Sequence, residues 1–156
     1  LTALEQKAPT PARAGLTAAF GALAITAVAL FGSMGFLRWR SAEQRRVLDD
    51  RSVRCKSNDI AACDLLRSAC IKRSGDGCVA LADAYAAPGP NHDPRESLRL
   101  LDEACTYRSA DACLRAAKLQ LAGGATPKNP IQARSLVERG CELGNAEACS
   151  LKATIH

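Results

Sequence analysis

"CTYRSADAC", Cys105 to Cys113, sets two cysteines eight positions apart, and the interval recurs in "CKSNDIAAC" from Cys55, "CIKRSGDGC" from Cys70 and "CELGNAEAC" from Cys141. The four stretches use all 8 cysteines of the 156-residue chain. On an unbroken helix eight residues at about 1.5 Å each would separate the two by about 12 Å, beyond the roughly 7 Å Cα limit for a disulfide. A disulfide across this interval therefore needs a turn inside it. Each interval carries one: "SND" at Ser57, "SGDG" at Ser74, "SAD" at Ser109 and "GNAE" at Gly144. These residue types accept unusual backbone angles or bond nearby amides, so they favour turns and N-caps.

The local expectation is a helix ending near the first cysteine, a tight turn, and a second helix starting just before the second. Four disulfides then pin four corners: Cys55 with Cys63, Cys70 with Cys78, Cys105 with Cys113, and Cys141 with Cys149. Closing each small loop contributes about 2 to 3 kcal/mol in the chain-entropy account. Short helical pairs with 4% aromatic residues need that help. Two other uses of the cysteines compete. Structural zinc sites usually bring cysteines two to four residues apart, and no such pair exists here. A set of reduced, inert thiols is the other, and four recurrences of one interval argue against it.

The pairs themselves repeat. Cys70 to Cys105 and Cys78 to Cys113 are 35 apart, and Cys105 to Cys141 and Cys113 to Cys149 are 36 apart, a period typical of stacked helical hairpins. "DPRESLRLLDEAC" from Asp93 aligns with "NPIQARSLVERGC" from Asn129, each opening with an Asx cap and a proline at the first helical position. Leu98, Leu101 and Cys105, then Ala133, Val137 and Cys141, mark an apolar stripe. The partner helices start at the second cysteines, with Cys78, Leu81, Ala82 and Tyr85 on one face and Cys113, Ala116, Ala117 and Leu121 on the other unit's. "PGPNH" and "GGATPK" form the loops between hairpin helices. The first block departs from the plan: Cys55 to Cys70 is only 15, so "DIAACDLLRSAC" reads as one helix in place of a hairpin.

"ACTYRSADAC", "RGCELGNAEAC" and "CVALADAY" together resemble the cysteine-rich branch of the Sel-one-like repeat family, relatives of tetratricopeptide repeats. The resemblance covers Cys55 to His156. It implies αα-hairpins whose neighbours are joined by a disulfide across the eight-residue interval, and a superhelical surface for protein interaction. Family members occur among extracytoplasmic bacterial proteins and mitochondrial intermembrane-space proteins that help assemble respiratory complexes. Cys78, Leu81, Ala82 and Tyr85 match the family's helix positions. Ala82 stands where glycine is common, Gln120 replaces the expected aromatic, and the last hairpin is incomplete at His156.

Upstream, Gly15 to Leu37, "GLTAAFGALAITAVALFGSMGFL", carries no charged side chain and as a helix would cross a hydrocarbon core of about 30 Å. It reads as a retained transmembrane helix, since its apolar run exceeds a signal-peptide core. Arg38, Trp39 and Arg40 suit the headgroup level, and Ala18, Ala22, Ala29 and Ser33 fall where another helix could approach. Arg38, Arg40, Arg45 and Arg46 offer contact with anionic headgroups. "SAEQRRVLDDRSVRC" continues in helical character, which suggests a stiff stalk. The organisation expected is an N-terminal tail over 1–14, a membrane helix over 15–38, a helical juxtamembrane stalk over 39–54, and a disulfide-linked repeat domain over 55–156. The fold class is all-α, a single span followed by a short αα-hairpin solenoid stapled by disulfides.

Nothing in the sequence assembles an active site. His92 lies in a loop and His156 is terminal, while Asp83, Asp102 and Glu103 alternate with basic residues as on solvated helix exteriors. "AGGAT" lacks a P-loop lysine. The net charge of +5 is juxtamembrane in origin and does not form a nucleic-acid surface. The chain reads as a non-enzyme without catalytic, cofactor-binding or metal residues, whose partners are integral subunits of a membrane complex and the bilayer, with no nucleic acid and no small-molecule substrate. It would be an accessory or assembly subunit, respiratory complexes included. The competing reading is a redox, metal- or haem-handling assembly factor, for which there is no Cys-x-x-Cys. Disulfides place the head in an oxidising compartment, the bacterial periplasm or the intermembrane space, on an inner membrane. The arginines beside the span argue for the opposite orientation, and four matched cysteine intervals outweigh them. The start, "LTALEQKAPTPARAG", suits a processed mature terminus.

Overall fold

The computed structural model describes residues 35–124 and 126–155, and the chain divides into two compact units at Glu43 and Gln44. In the first unit only residues 35–43 are described, and they are helical. The expected span, Gly15 to Leu37, lies outside the described residues apart from 35–37. No helix among the described residues is long and apolar enough to cross a membrane.

The second unit holds helix α1 (44–56), α2 (Ile60–Ile71), α3 (Gly75–Ala86), α4 (Pro94–Thr106), α5 (Ala110–Ala122), α6 (Pro130–Glu142) and α7 (Ala146–Thr154). Helix α2 is the single helix expected for "DIAACDLLRSAC". Consecutive helices from α2 onward pack on one another, most extensively α3 on α4 and α5 on α6, and α4 also touches α6. Those two extensive pairs are the hairpins.

Both hairpins are built alike. Asp93 Oδ1 accepts from the amides of Arg95 and Glu96 at 3.1 and 3.0 Å, and Asn129 Oδ1 accepts from the Gln132 amide at 3.1 Å. Each cap precedes a proline, whose missing N–H costs nothing in a first turn. The capping residue also closes the hairpin: the Asp93 amide donates to the Tyr85 carbonyl at 2.9 Å and the Asn129 amide to that of Gln120 at 3.0 Å. The acceptor is the Gln120 backbone carbonyl, so the position expected to hold an aromatic still closes the hairpin, and the Gln120 side chain is buried.

Burial is two-sided where the sequence shows one stripe. Leu98, Leu101 and Cys105 are buried, but so are Leu100 and Ala104 on the same helix, and Ala80 and Ala84 on α3. A helix inside a stack meets both its hairpin partner and the next repeat, which widens the apolar arc. The larger core joins Leu66, Leu81 and Leu101 to Leu48 and Cys55 of α1, and a smaller one holds Ala117, Ala133 and Val137. Part of the segment expected to be a stalk is thus seated in the array, since Leu48 and Ser52 are buried.

Candidate interaction surface and the disulfide corners

The four corners share one geometry, and it accounts for the eight-residue interval. Three residues after the first cysteine the backbone enters the left-handed region, at Asn58 (φ 69°), Arg73 (62°), Arg108 (69°) and Gly144 (92°). The next residue is the N-cap, Asp59, Ser74, Ser109 or Asn145. Its amide donates back to the carbonyl just before the first cysteine, Arg54, Ala69, Ala104 or Gly140, at 3.0 to 3.1 Å, the six-to-one bond that ends a helix. Four residues on, the second cysteine's amide donates to the cap's carbonyl at 3.0 to 3.2 Å, closing the first turn of the new helix. Three steps, one and four make eight. The chain has reversed, and the paired Cα atoms lie 4.8, 4.5, 4.6 and 4.5 Å apart in disulfides Cys55–Cys63, Cys70–Cys78, Cys105–Cys113 and Cys141–Cys149.

Small residues make that closeness possible. A Cβ on Gly77 would sit 2.7 Å from Ala69 Cβ, and one on Gly140 would sit 3.1 Å from Ala148 Cβ. These residues each precede a cysteine, so glycine and alanine beside the disulfide bring the two helices into backbone contact. Asp59, Ser74 and Asn145 cap by accepting from the amide three residues on, whereas Ser109 makes no such bond. The Ala62 amide and Arg54, at 2.6 Å, together hold the Asp59 carboxyl below its ordinary range.

Outside the corners, side chains tie neighbouring repeats. Arg115 pairs with Asp83 between α5 and α3, and Lys118 with Glu147 between α5 and α7. On the other layer Gln132 Nε2 donates to Asp102 Oδ2 at 3.2 Å, and Arg139 to the Thr106 carbonyl at 3.3 Å. Arg99 forks between Glu96 and Glu103, at 2.6 and 3.0 Å, and its hydrogen bonds hold the Glu96 carboxyl low. Asp83 and Glu103 are therefore ion-pair partners. Asp102 departs from the solvated exterior expected for it: Oδ1 is buried without a hydrogen-bond partner, and burial pushes its carboxyl up.

The concavities are shallow. A crevice of about 270 Å³ between α2 and α4 is lined by Arg67, Ile71, Leu81, Glu96, Arg99 and Leu100. One of about 310 Å³ runs beside Leu121, Ile131, Arg134 and Ile155. Small-molecule sites usually occupy about 300 to 1,000 Å³ and enclose their ligand. These are open grooves with apolar floors and charged rims, and Ile71 and Ile131 stand 72% and 84% exposed at their edges.

The expected site residues fall into separate places. The cysteines converge in pairs. Phe36, Leu37 and Trp39 are exposed, with the Phe36 and Trp39 rings tilted at 6.1 Å, and Arg38, Arg40, Arg45 and Arg46 are exposed as well. His92 is exposed, its Nδ1 3.1 Å from the Ala87 carbonyl, and His156 lies outside the described residues. All eight cysteines are in disulfides, and no described group brings a nucleophile to a base. Sequence reasoning missed Asn91, whose amide donates to the Cys55 carbonyl at 2.8 Å and straps the α3–α4 loop over the first corner. It also missed Arg73 and Arg108, although counting three from the first cysteine would have found them.

No family model matches the chain, and no curated protein matches it. Among solved structures it is similar to Helicobacter pylori cysteine rich protein B, at 26% identity and a TM-score of 0.52, over 70% of this chain and 94% of that one. The described repeat unit is an all-helical, solenoid-like array with four disulfides, similar in fold to that cysteine-rich protein.

Proposed function

We propose that this chain is a membrane-anchored interaction module whose disulfide-locked helical head contacts other proteins. The observation that carries the reading is the uniform corner: four cross-links fix the order and spacing of the helices, so the exterior can serve contacts without being needed for stability. A small array without such staples would have to spend its apolar side chains on its own core. The open grooves beside Ile71 and Ile131 fit side chains of a protein partner better than an enclosed metabolite. The likeness to a cysteine-rich protein of H. pylori agrees with the Sel-one-like resemblance and its implied role in protein contacts.

In the finer reading, Gly15 to Leu37 spans an inner membrane, Arg38, Arg40, Arg45 and Arg46 meet anionic headgroups, and the head faces an oxidising compartment. There it acts as an accessory or assembly subunit of a membrane complex. The span rests on its uncharged length, and the compartment rests on the cysteines.

A photo-crosslinking residue placed at Ile71 tests the interaction, with one at the exposed Asp111, which lines neither groove, as control, while carbonate and protease treatment of membranes tests the anchor. The reading expects the chain to stay in the carbonate pellet, the head to be cut only from the oxidising side, and Ile71 to capture one discrete partner that the control position does not. Carbonate release would refute the anchor, and equal capture at both positions would refute the surface.

A further inference from the structure

The four disulfides differ in cover. Asn91 lies over the first, its Nδ2 3.8 Å from Cys63 Sγ. Both cysteines of the second are buried. The third is buried too, with the Gly140 backbone of α6 so near that an added Cβ would meet Cys113 Cβ at 3.3 Å. Among the described residues the fourth has no comparable cover: Cys149 is exposed and Cys141 half-buried.

That bond also holds the most weakly seated described helix of the unit. Helix α7 has 9 residues and buries Ala148 alone. Leu151 and Ile155, both half-buried, lean on the cluster of Ala117, Ala133 and Val137. Beyond the corner itself, where the Asn145 amide bonds the Gly140 carbonyl and Ala148 lies against Gly140, the described side-chain ties are the Lys118–Glu147 pair, with both side chains more than half exposed, and a hydrogen bond from Arg134 to the Ile155 carbonyl at 2.8 Å. A helix this short is marginal by itself, and exposed ion pairs add little.

We propose that Cys141–Cys149 is a thiol–disulfide exchange site for a dithiol, and that its reduction releases α7 and uncovers the apolar surface of α5 and α6. One thiolate of the dithiol attacks the exposed Cys149 Sγ. The Cys141–Cys149 bond breaks, a mixed disulfide forms at Cys149, and the Cys141 thiolate leaves and takes a proton from water. The second thiolate then attacks the dithiol's own sulfur in the mixed disulfide. Cys149 departs and is protonated, and the dithiol becomes a cyclic disulfide. Two electrons have passed from the dithiol to the protein. Exchange requires access to sulfur, so the three covered bonds react only after their corners open. Released α7 exposes Ala117, Ala133 and Val137 beside Leu121 and Leu136, an apolar patch that the oxidised form keeps closed. The inference does not rest on the membrane anchor or on the interaction surface at Ile71.

The test is a time course of the full chain in dithiothreitol, quenched with N-ethylmaleimide and read by peptide mass, with amide hydrogen exchange on the same samples. Cys141 and Cys149 should be labelled at least about tenfold faster than the other six, so that a two-adduct species accumulates. In that species exchange should rise across 146–154 while 110–122 stays protected. Appearance of eight adducts together, or of another pair first, refutes the exchange site. The doubly substituted Cys141→Ser, Cys149→Ser chain provides the open state without reductant. If its α7 amides exchange as slowly as those of the oxidised protein, the release is refuted.

Discussion

Arg108 offers a direct perturbation of the corner, because its counterpart Gly144 occupies the same place three residues after a first cysteine. Both have positive φ, 69° and 92°. A side chain in the left-handed region costs roughly 1 to 2 kcal/mol from crowding between Cβ and the following carbonyl. Glycine avoids that cost but loses about 0.4 to 1 kcal/mol through its larger unfolded-state entropy. The difference predicts that Arg108→Gly stabilises the head by about 0.5 to 1 kcal/mol. Arg108 is exposed, so little packing is lost. The reverse change, Gly144→Arg, should destabilise by a similar amount. For a unit of this size the shift is a few degrees in melting temperature, about 4 to 8 °C per kcal/mol for 60 to 100 residues. Urea unfolding with disulfides intact, followed by far-ultraviolet circular dichroism, reads both. If Arg108→Gly lowers the midpoint, or Gly144→Arg leaves it unchanged, the corners do not share one backbone geometry.

Three further changes follow from the packing. Ser97 is 1% exposed with a hydroxyl that has no partner, and Ala133 fills the equivalent place one period later; Ser97→Ala should stabilise by about 1 kcal/mol, seen as a higher urea midpoint. Gly77→Ala forces a Cβ to 2.7 Å from Ala69 Cβ where the adjoining disulfide holds the helices. Overpacking of about 1 to 3 kcal/mol exceeds the gain of up to about 1 from replacing helical glycine, so thermal melting should show a net loss. Asp102 has its folded pKa raised above the ordinary 3.8 by burial, so its contribution is fully present below that value and is lost as pH rises through the folded pKa. Asp102→Asn removes this loss. Its stability relative to the parent should therefore climb from about pH 4 upward and level off, and a flat difference across urea midpoints from pH 3 to 7 would contradict the burial.

Much of the fold is legible because its signals are local. Cysteine interval, turn residues and the Asx-Pro starts at Asp93 and Asn129 all act within one helix length, so they survive in the sequence as a register. What is not legible depends on distant partners. The second apolar face of α4, with Leu100 and Ala104, has meaning only when another repeat is stacked on it. The strap from Asn91 to Cys55 joins residues 36 apart in sequence, and no local pattern marks it. Asp102 and Ser97 look like exterior residues by composition, yet the stack closes over them. Arg73 and Arg108 conceal the left-handed turn because glycine, the usual marker, fills that place only at Gly144.

The eight cysteines form cross-links paired across eight-residue corners. This pairing is tested most directly by the intact mass of the protein isolated without reductant, after thiol blocking with and without prior reduction, followed by peptide mapping of the unreduced form. No adduct should form before reduction and eight after it, and cross-linked peptides should join Cys55 to Cys63, Cys70 to Cys78, Cys105 to Cys113 and Cys141 to Cys149. Adducts on the unreduced protein, or cross-links in any other pairing, would contradict it.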